Sequence, residues 1–324
     1  MLSAIGRLAV LAALIAPAAY AAPAAPARTA RPGAAPPVSY ARPVQLPKVA
    51  ADTLTAALLK DRAETEQWLK SGATSYLATV QRVDFGARTS VTLGSAAGND
   101  VRIADPAVAA HHLRVTVTGD SFRVEALDPG ATFKVKDAET RAATLSPSGI
   151  GIGRFGVRLS HQRYPAIIVF DPQSPRFKDY KGLKWFPVDL ACRYELPLRP
   201  NPKPDTLIIM STRGNRRRAV RVGWLDFMVG KSRCSLEATR LLEPGVGEND
   251  FSVFFRDATT GRESYAVGRY VDPERLPDGR YLLDFNRCYN PACAVSEHYN
   301  CPIPPKANVL KVPIRAGEMD SKYH

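Results

Sequence analysis

Between residues 50 and 72, apolar side chains recur at helical spacing. Leu54, Leu58, Leu59, Trp68 and Leu69 share a face, Asp52 or Thr53 can cap the start, and Gly72 can end the run. That spacing predicts one helix. Beyond it the period changes to two. His112 to Val117 alternates apolar and polar, Gly119-Asp120 marks a turn, and Phe122 to Ala126 alternates again. Ile167 to Phe170 reads as a short apolar strand. Asp205 to Met210 and Ala219 to Val222 flank a turn at Gly214-Asn215. Phe251 to Phe255, Tyr265 to Val271, Tyr281 to Phe285 and Val309 to Ile314 complete the series of strands. No helical crossovers separate them, so the pattern predicts a mainly β protein with antiparallel sandwich- or barrel-like sheets.

The length of 324 residues fits two domains. The expected division is a helix plus a sandwich-like subdomain over 50–172 and a second β-rich subdomain over 173–324. Hydrophobic residues at 45% and charged residues at 23% are ordinary globular usage and exclude a wholly disordered or collagen-like chain.

The N-terminus has a different character. Arg7 precedes the apolar run Leu8 to Ala16, and Ala19-Tyr20-Ala21 is a small-x-small cleavage site. Residues 1–21 therefore read as a signal peptide cut near Ala21, which places the mature chain in the periplasm or outside the cell. The run is too short for a transmembrane span. Residues 22–49 carry Pro23, Pro26, Pro32, Pro36, Pro37, Pro43 and Pro47 and read as an extended linker.

The formal net charge is +13, of which residues 1–50 supply five cations and no acid. Arg213, Arg216, Arg217, Arg218 and Arg221 cluster about Gly214-Asn215. The region Arg213 to Arg221 is expected to be a solvated hairpin tip, with an anionic envelope surface as its alternative partner. Nucleic acid is not expected, because no stacking-aromatic motif accompanies the arginines and the chain is exported. Gly151-Ile152-Gly153-Arg154-Phe155-Gly156 matches a dinucleotide fingerprint in spelling, yet Val157-Arg158-Leu159 after it is a strand pattern and not a helix start.

Two resemblances follow from the motifs. Leu93-Gly94, Asn99 to Ile103, Asp105 to Val108 and His112 resemble the core of a forkhead-associated domain. That resemblance implies a β-sandwich with a structural His112. It does not imply phosphopeptide binding, since the family's phosphate-contacting arginine is Ser95 here and its Ser-Arg pair is Ala109-Ala110. The segment Asp284 to Glu318 (DFNRCYNPACAVSEHYNCPIPPKANVLKVPIRAGE), with Phe254 to Gly261, Tyr265 and Gly268-Arg269-Tyr270 upstream, resembles the domain of unknown function 1684 family. The weaker N-terminal half, from the Trp68 helix through Asp171-Pro172 and Phe186-Pro187, is similar to the same family, so the resemblance covers most of the body. It implies a shared fold and no known activity. Cys288 stands where that family has a small residue.

The candidate chemistry concentrates in the same stretch. Asp257, Thr260, Tyr265, Arg269, Asp284, Asn286, Tyr289 and Asn290 could line a pocket for a small polar or anionic ligand. On a strand, Asp284 and Asn286 share one face, and Arg269 and Tyr265 are their expected partners. The alternatives are a periplasmic hydrolase using Asp284 or Asp257 as base with Arg269 as charge stabiliser, and a scaffold in which these groups are structural. Enzyme and binder are not separated by the residues alone. Export makes disulfides the natural reading of the cysteines, Cys293 with Cys301 and Cys192 with Cys234. No cofactor is expected. Zinc on Cys288, Cys293, His298 and Cys301 is the sharper alternative, at an irregular spacing.

Overall fold

The computed structural model describes residues 38–322. The signal peptide and the linker as far as residue 37 lie outside the described residues. The body, Tyr40–His324, is a single contact unit.

The helix spans Lys48–Ser71, starting four residues earlier than Asp52 because Pro47 stands at its N-cap. A proline blocks extension in the N-terminal direction and costs nothing at an end whose first N–H groups lack partners anyway. Leu58 and Leu69 are buried, Leu59 is exposed, and Gly72 closes the helix onto the Trp68 carbonyl. Ahead of it, the chain is already anchored: the Ala41 N–H donates to Asp226 and the Val44 N–H to Arg193. The expected free linker to residue 49 is thus tied down from Ala41.

Next come two sheets packed face to face. One runs in the order Thr79–Asp84, Pro165–Phe170, Phe155–His161, Ser148–Ile152, Phe133–Val135, Ala138–Thr140. The other runs Val101–Arg102, Ser90–Gly94, Leu113–Thr118, Ser121–Ala126, Ala142–Leu145, with one parallel pairing at its edge. Period-two alternation puts Val91, Leu93, Val115, Phe122 and Val124 of one sheet against Ile150, Val157, Leu159, Ile167 and Val169 of the other. His112 is buried and structural: Nδ1 accepts from the Ala109 N–H at 3.0 Å and Nε2 lies 2.8 Å from the Thr132 carbonyl oxygen. The glycine string 151–156 is a hairpin turn.

The second half is built on a 14-residue strand, Arg216–Val229, which pairs with Thr206–Met210, Leu198–Pro200 and Ser232–Leu241. The last of these was not expected from the sequence. Arg193–Leu196 pairs with Tyr281–Asp284, and Val253–Phe255 with Arg269–Val271. The core between them holds Tyr194, Leu225, Phe227, Leu236, Phe255, Leu283 and Phe285. Two expected strands are shorter or missing. Tyr265–Gly268 is loop, and 309–314 is extended chain with a bridge only at Val309.

Gly317 marks the tightest point of the C-terminal tail. Its φ is +77°, and a Cβ there would stand 2.7 Å from the Cys288 Cβ and from the Cys288 and Phe285 carbonyl oxygens. Gly279 has a similar φ of +85° and open space around it. Both substitutions to alanine carry the left-handed strain, but only Gly317→Ala adds a clash with backbone. We expect Gly317→Ala to lose about 2–4 kcal/mol more than Gly279→Ala, read from urea midpoints.

Candidate functional site

The family-like motifs converge on Arg269, whose side chain is 1% exposed. It leaves the short strand Arg269–Val271 between the rings of Phe186 and Phe255, at 5.5 and 5.4 Å. Its Nη1 donates to the carbonyls of Ala316 (2.5 Å) and Glu318 (3.2 Å), and Nη2 to Ile314 (2.7 Å). Those carbonyls alternate along an extended tail, so one guanidinium supplies the donors that a neighbouring strand would otherwise give. Nη2 also meets Asp257 at 3.3 Å. Asp257 is saturated in turn by the hydroxyls of Thr259 and Thr260 and the Ile314 N–H.

Asp284 does not pair with Arg269 as expected. Its Oδ2 accepts from Arg193 at 2.6 Å and its Oδ1 from the Asn286 backbone and side chain, both at 3.0 Å. The register explains this: Arg193 lies directly opposite Asp284 on the paired strand. Asn286 exchanges reciprocal bonds with the backbone of Asp189, both 2.8 Å. Tyr289 donates to Asp272, and Asn290 donates to the Met319 carbonyl and, from its backbone, to the Glu318 carboxyl. The structure therefore brings the candidate polar residues into one region and turns nearly all of them onto protein groups.

Tyr265 is different. It lines an open cleft of about 490 Å³ with Thr212, Arg213, Cys293, Glu297 and Tyr299. Three segments build it. The hairpin tip supplies Thr212 and Arg213, the loop held by Asp257 supplies Tyr265, and the turn after Pro291 supplies the rest. They are stitched together by Thr212 N–H to the Cys301 carbonyl (2.9 Å), Arg213 to the Glu297 carbonyl (3.3 Å) and the Tyr265 hydroxyl to the Cys293 carbonyl (3.4 Å). Thr212, Glu297 and Tyr299 carried no signal in the sequence. Arg213 was visible as one of a basic cluster. That cluster is not a uniformly solvated tip: Arg217 is buried on Glu243 at 2.5 Å and on the Asn300 carbonyl, and Arg221 is paired with Asp205 and Glu237.

Arg213 and Glu297 are the charged residues that line the cleft. Asp84 lies between Arg82 at 2.8 Å and Arg213 at 2.9 Å, and the carbonyl-bound Arg176 stands nearby with Glu297. Burial, followed by these arginines, pulls His298 below its ordinary value despite Glu297.

None of the expected disulfides is present: all five cysteines are buried and no pair is at bonding distance. Cys192 donates to Asp189 and Cys234 to the Ser232 carbonyl, each within its own segment. Cys293 and Cys301 are neighbours joined as thiols, with the Cys293 N–H 3.4 Å from the Cys301 sulfur. The zinc set is not assembled either. Cys288 is sealed in the core beneath Gly317, whereas Cys293 and Cys301 belong to another cluster. Among the described residues no three His, Cys, Asp or Glu side chains gather into a metal site.

The model of a family described as "Protein of unknown function (DUF1684)" matches residues 178–319. The uncharacterized protein from gene locus rrnAC0354 of Haloarcula marismortui, solved by NMR, is 34% identical. The match covers 48% of this chain and 85% of that one, with a TM-score of 0.38. Mycobacterium tuberculosis EmbR, solved with a low-affinity phosphopeptide, is 17% identical over 37% of this chain and 31% of its own, with a TM-score of 0.20. None of the curated proteins matches.

Glu318 supplies a test of how tightly the tail is buried. Burial raises its carboxyl from about 4.5 to about 8, against the Asn290 N–H and the Arg269 charge. A raised folded pKa makes its contribution to stability complete below about pH 4.5 and lost by about pH 8. We expect the stability difference between wild type and Glu318→Gln to change across that window with the slope of one proton, measured by urea unfolding at stepped pH.

Proposed function

The chain belongs, through residues 178–319, to the DUF1684 family, and from that starting point we propose that it binds a small polar ligand bearing a negative charge. The observation that carries the reading is the cleft of about 490 Å³, where side chains of three segments converge beside the part-exposed guanidinium of Arg213, which shares Asp84 with Arg82. Arg213 is the anion contact. The hydroxyls of Thr212 and Tyr265 offer neutral polar contacts, and the rings of Tyr265 and Tyr299 form walls. The export signal read in residues 1–21 supports meeting this ligand outside the cytoplasmic membrane.

The hydrolase reading draws less support. Asp257 and Asp284 have their oxygens occupied by protein donors, and Arg269 spends its terminal nitrogens on the tail. A general base needs a carboxylate within reach of substrate, and of the two acids at the cleft only Glu297 lines it. The polar residues around Arg269 fit the scaffold role.

Calorimetric titration of the mature chain with lactate, benzoate and glutamate, with glucose as an uncharged control, tests the binding. At least one anion should bind, and Arg213→Ala should weaken it by about 1.5–3 kcal/mol while leaving the melting temperature unchanged. Equal binding by Arg213→Ala, or binding of glucose alone, contradicts the reading.

A further inference from the structure

We propose that Cys293 and Cys301 form a thiol–disulfide exchange site at the floor of this cleft. Cys293 attacks, Cys301 resolves, and low-molecular-mass disulfides are the substrate class. Cys293 lines the cleft, whereas Cys301 lies behind it. The Cys293 backbone N–H meets the Cys301 sulfur at 3.4 Å, and the Tyr265 hydroxyl stands 3.4 Å from the Cys293 carbonyl oxygen and 4.0 Å from its sulfur. Donors beside a sulfur favour its thiolate, the form that attacks. The directions agree: hydrogen bonding from Cys301 leads in pulling Cys293 below its ordinary value, and the same contact with burial drives Cys301 up. The other three thiols lack this setting. Burial pushes Cys192 to about 12 and raises Cys234 and Cys288, and Cys192 and Cys234 donate to Asp189 and to the Ser232 carbonyl.

The chemistry closes without a cofactor. The Cys293 thiolate attacks one sulfur of R–S–S–R. A protein mixed disulfide forms, the small disulfide bond breaks, and the departing thiolate takes up one proton. The Cys301 sulfur gives up its proton and attacks the Cys293 sulfur. The Cys293–Cys301 bond forms, and a second R–SH leaves. Two electrons pass from the protein thiols to the small disulfide, and the run in reverse reduces the pair. Closure is local, because the eight-residue loop is already folded with its ends in contact. The inference is independent of the anion reading, since an uncharged disulfide has no need of Arg213.

The test uses the full mature chain, reduced and then exposed at neutral pH to the uncharged probe bis(hydroxyethyl) disulfide. Thiols are alkylated at intervals and read by intact and peptide mass spectrometry. Wild type should lose two thiols together, as a Cys293–Cys301 bridge, with a transient mixed disulfide on Cys293. Cys301→Ser should accumulate that mixed disulfide, and Cys293→Ser should leave Cys301 unmodified. Should either variant fail to fold, the transient adduct in wild type still identifies the attacking sulfur. The proposal is overturned if folded wild type keeps both thiols while the guanidinium-unfolded chain oxidises. It is also overturned if adducts spread over Cys192, Cys234 and Cys288.

Discussion

One guanidinium holds the C-terminal half together. Arg269 is buried, and burying an isolated charge is prohibitive unless it is paired and hydrogen-bonded. Here Asp257 supplies the counter-charge, and the carbonyls of Ile314, Ala316 and Glu318 supply the acceptors. The tail, which forms no regular strand, takes much of its order from this side chain, beside the backbone bonds that Gly317, Glu318 and Met319 make to neighbouring segments. The constraint runs both ways. Without the tail, Arg269 loses three acceptors; without Arg269, the carbonyls of Ile314 and Ala316 lose their donor. Lysine cannot replace the fork, because a single ammonium does not reach acceptors on two nitrogens at once.

That arrangement positions the cleft through strand geometry. Neighbouring residues on a strand face opposite ways. Arg269 points to the tail, and Tyr270 points to the other side, where its hydroxyl donates to the Pro302 carbonyl and its N–H to Tyr289. The loop with both reactive thiols hangs from that second face. The Asp257 hydroxyl network likewise fixes the loop that carries Tyr265. Structural and chemical roles are therefore split by a single residue step, and the polar richness of the segment belongs mainly to the structural side.

Much of the fold was legible where burial has a short period. His112 to Val117 and Phe122 to Ala126 read directly as strands because each has one face in the sandwich core. Ser232–Leu241 did not, since Ser, Arg, Glu and Thr fill it, and its burial is only apparent beside Arg216–Val229. The polar residues named from the sequence do gather in one region, but partners across strands depend on register. Asp284 meets Arg193, 91 residues away, and no local pattern encodes that pairing. The cleft was the least legible feature, because Thr212, Glu297 and Tyr299 become neighbours only when a hairpin tip and a proline-flanked loop meet. The cysteine pair was found in the sequence as a pair; its thiol state belongs to the folded geometry.

Native-state hydrogen exchange on the C-terminal tail tests the central claim most directly. The Ile314 N–H is bonded to the Asp257 carboxylate at 2.5 Å, the Glu318 N–H to the Cys288 carbonyl at 2.9 Å, and the Phe186 N–H to the Gly317 carbonyl at 2.9 Å. If Arg269 locks the tail into the core, these amides exchange only through global unfolding, at the free energy of the core strands. Exchange of the same amides at the rates of an exposed terminus would contradict it, and would return Arg269 and Asp257 to the list of groups free to meet a ligand.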